Sequence, residues 1–163
     1  MASPASIGGH PIHPILIPFP IGLWIFSVVA DVIYLWRGNP VWRDYIAFYA
    51  LLAGIIGAAA AAVFGIIDWL SIRDRPTKRI ADWHARLNVI AVVVYIASFY
   101  LRTTSGSTLL SASYSVAFAL SLLGVVLIGI SGWLGGELVF KHGVAVNTPA
   151  TPAAQPTDRA RAA

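Results

Sequence analysis

The sequence has no cysteine and few charged residues. The missing thiols exclude disulfides, thiolate metal sites and cysteine nucleophiles. Only 11% of the 163 residues are charged, whereas soluble domains carry about 25%. With 58% hydrophobic residues and a mean hydropathy of +0.75, the chain lacks the polar side chains to cover a soluble surface. These values predict one membrane domain, with the lipid bilayer as its main partner.

The basic residues are also few, and they form no long run. The net charge is +4, but in a membrane protein Lys and Arg report topology more often than nucleic-acid binding. We therefore expect no nucleic-acid partner. Residues 1–14 contain no Lys or Arg, so the segment before the first apolar run lacks the charged region of a signal peptide.

Four apolar segments have the length needed to cross about 30 Å of hydrocarbon. They cover about 15–36, 45–67, 83–101 and 112–134. Backbone inside lipid has to be helical, and the short connections make neighbouring helices antiparallel. The predicted fold class is an all-α membrane protein, an antiparallel four-transmembrane-helix bundle within residues 1–146. Residues 147–163 are rich in Pro and Ala and predict a disordered tail. No internal repeat is apparent.

The distribution of Lys and Arg predicts the orientation of the bundle. The side that carries both termini has eight basic residues: Arg73, Arg75, Lys78, Arg79, Arg86, Lys141, Arg159 and Arg161. The opposite side has three: Arg37, Arg43 and Arg102. The positive-inside rule therefore places both termini in the cytoplasm.

This topology brings all four histidines to one face of the membrane, together with several acids. The candidate metal ligands there are His10, His13, His84, His142, Asp68 and Glu137. Imidazole is the commonest metal ligand, and carboxylates either bind the ion or orient the imidazole. Such a set suits zinc, copper or iron.

A b-type haem would use fewer of these residues. It needs two axial imidazoles from different helices, and His84 with His13 or His10 is the predicted pair. Arg73, Arg79 and Arg86 are candidates to pair with the propionates, and glycine stripes on helices 2 and 4 would make room for the ring. A redox or electron-transfer function would follow.

Two alternatives stay open. The polar residues could simply cap helices and bind one another in a cofactor-free structural or partner-binding subunit. A small transporter or channel would instead need a continuous polar path from His84 past Tyr95 to Arg102. We do not predict an enzyme, because the sequence has no G-x-S-x-G or H-E-x-x-H pattern.

Two further features of the spans are predicted to be structural. Gly54, Gly57, Ala61 and Gly65 form a stripe of small residues on helix 2, typical of close helix packing in membranes. At the end of the bundle away from the histidines, Asp31 and Arg102 are expected to form an ion pair.

Four segments together resemble a bacterial membrane family, domain of unknown function 2231 (DUF2231). They are GHPIHPILIPFPIGLW, the Asp68-Trp69 pair, WHARLN and GGELVFKHGVAV, and the resemblance covers about 8–146. It implies a four-helix protein of the bacterial cytoplasmic (inner) membrane and supplies no established activity. Members of such families often neighbour redox proteins, which favours electron transfer with a redox protein or another membrane subunit as partner. A homo-oligomer is equally compatible with the sequence.

Overall fold

Four long helices run up and down a bundle in the computed structural model, which describes residues 3–104 and 112–146. The helices are α1 (Ile12–Leu16), α2 (Pro18–Arg37), α3 (Phe48–Ser71), α4 (Arg75–Thr104) and α5 (Ala112–Phe140), and a π-helical segment, Trp42–Ala47, leads directly into α3. The predicted all-α, antiparallel four-helix membrane bundle is confirmed. A short hairpin of β1 (Ser6–Ile7) and β2 (His10–Pro11) precedes α1. The predicted tail, residues 147–163, lies outside the described residues.

The four spans form a ring in which each long helix packs on two neighbours. α2 lies against α3 and α5, and α4 lies against the same two helices. α2 and α4 are therefore diagonal to each other across the bundle. The segments that have the length and hydropathy to cross a membrane are Ile12–Arg37, Trp42–Ser71, Arg75–Thr104 and Ser113–Phe140.

The first span begins with a short helix. Its prolines predict irregular backbone or a broken turn over residues 8–17, and α1 is a five-residue helix from Ile12 to Leu16. Ile17, although outside the regular helix, keeps a helical backbone and donates to the His13 carbonyl at 3.1 Å. Pro18 and Pro20 have no N–H, so regular helical bonding is interrupted only at that point.

Helix α4 begins at Arg75, ahead of the predicted start near residue 83, because Asp74 caps it. The Asp74 carboxylate accepts hydrogen bonds from the Thr77 hydroxyl at 2.6 Å and from the Thr77 N–H at 3.1 Å. An N-cap Asp satisfies one of the free N–H groups of the first turn in this way. Both hydrogen bonds stabilise the carboxylate and hold the pKa of Asp74 below its usual value, and the bond from the Thr77 hydroxyl has the larger effect.

The centre of the bundle is an aromatic stack between the two diagonal helices. The ring centroids of Trp24 and Tyr95 lie 4.0 Å apart with 16° between the ring planes. A Cβ at Gly54 would collide with the Trp24 ring, and one at Gly124 would collide with Tyr95. Glycine is therefore required at both positions, consistent with close packing along α3.

The predicted Asp31–Arg102 pair is present and deeply buried. Arg102 Nη1 donates to Asp31 Oδ1 at 2.9 Å, and Nη2 donates to Oδ2 at 2.5 Å. Tyr114 donates a further bond to Oδ1 at 3.2 Å. The Asp31 side chain is 0% exposed and that of Arg102 only 4%. Both charges are thus matched inside the membrane, where an unmatched charge is costly.

Replacing Asp31 by Asn should lower the thermal stability of the protein in detergent. Asn keeps the shape of the side chain but leaves the Arg102 charge buried without a counter-ion, which typically costs about 3–5 kcal/mol. Lys141→Gln is the control, because it removes only an exposed ion pair with Glu137 and should cost at most about 1 kcal/mol. Equal unfolding temperatures for the two variants would contradict a stabilising role for the buried pair.

Candidate functional site

His13 in α1 is held against the middle of α3. Its Nδ1 lies 2.8 Å from the carbonyl oxygen of Ala61. Because a carbonyl only accepts hydrogen bonds, Nδ1 carries the proton and donates it. The edge of the ring lies beside Gly65, where a Cβ would stand 2.7 Å from His13 Cε1. The ring is half-buried, and Nε2 accepts no hydrogen bond from the described part of the chain.

His84 in α4 is held against α5 in the same manner. Its Nδ1–H donates to the Ser131 carbonyl at 2.8 Å. Its Nε2 accepts a bond from the Asn88 amide nitrogen at 3.1 Å, and that nitrogen also donates to the His84 carbonyl at 2.9 Å. The ring lies beside Gly135, where a Cβ would stand 3.1 Å from His84 Cε1. These partners define a neutral imidazole with its proton on Nδ1.

The two histidines lie at the same end of the bundle, on diagonal helices, within electrostatic range of each other. In each, the Nδ1–H bond to a helix carbonyl fixes the ring orientation and leaves the lone pair on Nε2. Metal-ligating histidines are commonly held by this arrangement, in which the second ring nitrogen donates to a backbone carbonyl or carboxylate.

Of the other predicted metal ligands, three are bonded to other residues at this end and one is exposed. His10 is exposed on β2, and the Asp68 carboxylate accepts a bond from the Ser3 hydroxyl at 2.5 Å. Glu137 pairs with Lys141 at 3.1 Å. His142 donates from Nδ1 to the Thr77 hydroxyl oxygen at 3.0 Å, since that hydroxyl's own proton goes to Asp74.

Of the six candidate ligands, only His13 and His84 share one setting, an Nδ1–H bond to a helix carbonyl. Within residues 3–104 and 112–146, no group of three or more His, Asp or Glu side chains is placed to hold one metal ion. The predicted propionate partners Arg73, Arg79 and Arg86 lie at the same end, are exposed, and form no ion pair within these ranges. The Arg86 guanidinium instead lies 5.4 Å from the ring centroid of Trp83.

The polar residues of α4 do not form one continuous hydrogen-bonded path. Asn88 bonds His84 at one end, and Ser98 and Ser121 bond Arg102 at the other. Between them stands the aromatic stack. Among the described residues, the Tyr95 hydroxyl and the Trp24 Nε1 are buried without a hydrogen-bond partner. In the part of the chain that the structure describes, these hydrogen bonds of the polar side chains of α4 thus form two groups, one toward each end of the helix.

Sequence reasoning missed the groups that position the histidines. The carbonyls of Ala61 and Ser131 carry no signal in the sequence, because every residue has a carbonyl. Gly65 and Asn88 did carry one, since Gly65 belongs to the small-residue stripe and Asn88 follows His84 by one helical turn.

Comparison with known proteins identifies the family. Residues 9–148 match the family described as predicted membrane protein (DUF2231), and the chain belongs to it. No curated protein and no solved structure matches the chain.

Adding a methyl group beside each histidine should disturb its position. In Gly65→Ala the new Cβ overlaps the His13 ring, and such overpacking costs about 1–3 kcal/mol. Gly135→Ala meets the His84 ring less closely, so its unfolding temperature in detergent should fall by less. Gly129→Ala is the control, because no atom lies within 4 Å of the added methyl group. A control as damaging as Gly65→Ala would contradict close packing at His13.

Proposed function

We propose that this member of the DUF2231 family binds one haem b through Nε2 of His13 and of His84, and transfers electrons in the bacterial cytoplasmic membrane. The observation that carries the proposal is the matched setting of the two rings. Each donates its Nδ1–H to a carbonyl of the next helix, at 2.8 Å in both cases, which directs the lone pair to Nε2. Bound haem would supply a one-electron couple.

The residues present fit such a group. Axial ligation in a bundle needs imidazoles from two helices, and His13 and His84 come from α1 and α4. His84 Nε2 would have to exchange its bond from Asn88 for iron. The Asn88 amide nitrogen would then keep one bond, to the His84 carbonyl at 2.9 Å, and the N–H released from Nε2 would need another partner.

The surroundings also suit a charged cofactor near the membrane surface. Gly65 and Gly135 let each imidazole pack closely against a helix, which fixes the position of the ring. The exposed Arg73, Arg79 and Arg86 lie at this end of the bundle and would pair with propionates. With both termini in the cytoplasm, the site would face the cytoplasm and be accessible to a redox protein or another membrane subunit.

A transition-metal ion is the second candidate. Zinc, copper or iron bound by His13 and His84 would need further ligands, from His10, His142, Asp68 or Glu137. All but His10 are bonded to other residues, so the local structure would have to rearrange. A cofactor-free structural role is favoured by one observation: both ring nitrogens of His84 already have protein partners.

The visible spectrum of detergent-purified protein, oxidised and reduced, distinguishes these possibilities when combined with elemental analysis of the same sample. Haem b bound by two imidazoles should give a Soret band and sharp bands on reduction. Both should be lost in His84→Ala and in His13→Ala, because each removes an axial ligand. His10→Ala is the control and should keep the spectrum.

The remaining outcomes each contradict the haem proposal. A colourless protein with stoichiometric zinc, copper or iron would favour the metal-ion site. A sample with neither colour nor metal, after expression with haem precursor and metals supplied, would favour the structural role. A haem spectrum that survives both His13→Ala and His84→Ala would place the cofactor elsewhere.

A further inference from the structure

We propose that the bundle is built from two copies of one helical-hairpin unit related by a two-fold axis through its centre. The first unit comprises α1, α2 and α3, and the second comprises α4 and α5. The axis relates His13 to His84, so that the two would bind one ligand from opposite sides. That shared binding site rests on the proposed function, whereas the two-fold arrangement does not.

Corresponding residues of α1–α2 and α4 are 71 positions apart. The counterparts are His13 and His84, Trp24 and Tyr95, Ser27 and Ser98, and Asp31 and Arg102. Corresponding residues of α3 and α5, together with the end of the π-helical segment, are 70 positions apart. Here the counterparts are Ala47 and Ala117, Gly54 and Gly124, Ala61 and Ser131, and Gly65 and Gly135.

The hydrogen bonds within the two units correspond. His13 Nδ1–H donates to the Ala61 carbonyl at 2.8 Å. His84 Nδ1–H donates to the Ser131 carbonyl, also at 2.8 Å. The Ser27 hydroxyl donates to the Ala47 carbonyl at 2.8 Å, and the Ser98 hydroxyl donates to the Ala117 carbonyl at 2.7 Å. Each donor and each acceptor in the second unit is the counterpart of one in the first.

The packing on glycine corresponds too. Trp24 lies on Gly54, and its counterpart Tyr95 lies on Gly124. His13 lies beside Gly65, and His84 beside Gly135. Two antiparallel hairpins of similar geometry would repeat contact positions whatever their sequences. They would not by themselves repeat a histidine, a serine and two glycines at corresponding positions, as these two units do.

The axis itself is marked by residues that contact their own counterparts. In a two-fold arrangement only residues on the axis can do so. Trp24 stacks on Tyr95 with centroids 4.0 Å apart, and Asp31 binds Arg102. The helix pairs obey the same symmetry, since α2 packs on α3 and α5 while α4 packs on α5 and α3.

This repeat corrects the expectation that the chain has none. Residues 46–56, IAFYALLAGII, align with residues 116–126, VAFALSLLGVV, with identities at Ala47, Phe48, Leu52 and Gly54. Elsewhere the two units share few residues, so composition and hydropathy do not reveal them. The first unit has one more residue between the matched serine and alanine. The π-helical segment lies within that stretch, and its wider turn accommodates an extra residue.

Exchanging the central aromatic residues tests the axis without any cofactor. Trp24→Tyr leaves a cavity and Tyr95→Trp overpacks, so each should lower the unfolding temperature. The double exchange rotates the same stack by half a turn, because Gly54 and Gly124 provide equivalent pockets. The unfolding temperature of the double variant should fall by less than that of the less stable single variant. A larger fall would overturn the two-fold arrangement.

A non-equivalent exchange provides the matched control. Trp24→Tyr combined with Tyr34→Trp uses the same residue types on one helix, and Tyr34 is equally buried. The two positions are not counterparts, so their losses should add. A control that regained stability as well as the symmetric exchange would also overturn the proposal.

Haemin titration, followed by Soret absorbance, tests the equivalence of the histidines. The unaltered chain should bind one haemin, and both His13→Gly and His84→Gly should weaken binding, with the smaller loss in His84→Gly because ligation by His84 must first displace the bond from Asn88. Free imidazole should restore each variant, and His10→Gly should bind as the unaltered chain does. If only one histidine mattered, equivalence would be overturned while haem binding stood. If the unaltered chain bound no haemin, both the shared binding site and the proposed function would be overturned. The exchange of the aromatic residues would still test the two-fold axis.

Discussion

The bundle depends on side chains that donate hydrogen bonds to helix carbonyls inside the membrane. His13, Ser27, His84 and Ser98 each donate to a carbonyl of the following helix at 2.7 to 2.8 Å. Those carbonyls belong to residues already in helices, that of Ala47 to the π-helical segment, so the extra bond does not require any helix to open. Lipid offers polar side chains no partner, and a bond to the next helix satisfies them while holding neighbouring helices in register.

This constraint explains how the bundle accommodates polar side chains in its interior. At one end the bonds fix two imidazoles as Nδ1–H tautomers, which is the state in which a histidine can ligate through Nε2. At the other end the serines lie beside the Asp31–Arg102 pair, where Ser98 also bonds Ser121. The Trp24–Tyr95 stack separates the two ends. A cofactor held between the histidines would thus be insulated from the buried ion pair.

Much of this could be predicted from residue types and helical spacing. Asp31 and Arg102 could be paired because two opposite charges in apolar spans at the same depth have few other partners. The histidine end could be predicted from topology, since short connections between four helices decide which termini share a membrane face. The bond from His13 Nδ1 to the Ala61 carbonyl could not, because it depends on how α1 packs against α3. Nor could His142, whose partner Thr77 lies on a part of α4 beyond the predicted span.

The sequence by itself determined the class of protein, the four spans, their antiparallel order and the set of residues at each end. These follow from hydropathy and chain connectivity, which are local properties. Only the tertiary structure decided that His13 and His84 share one setting while Asp68, Glu137 and His142 take other partners. The two-fold correspondence was also decided there. It resides in contacts between helices, whose partners lie far apart along the chain.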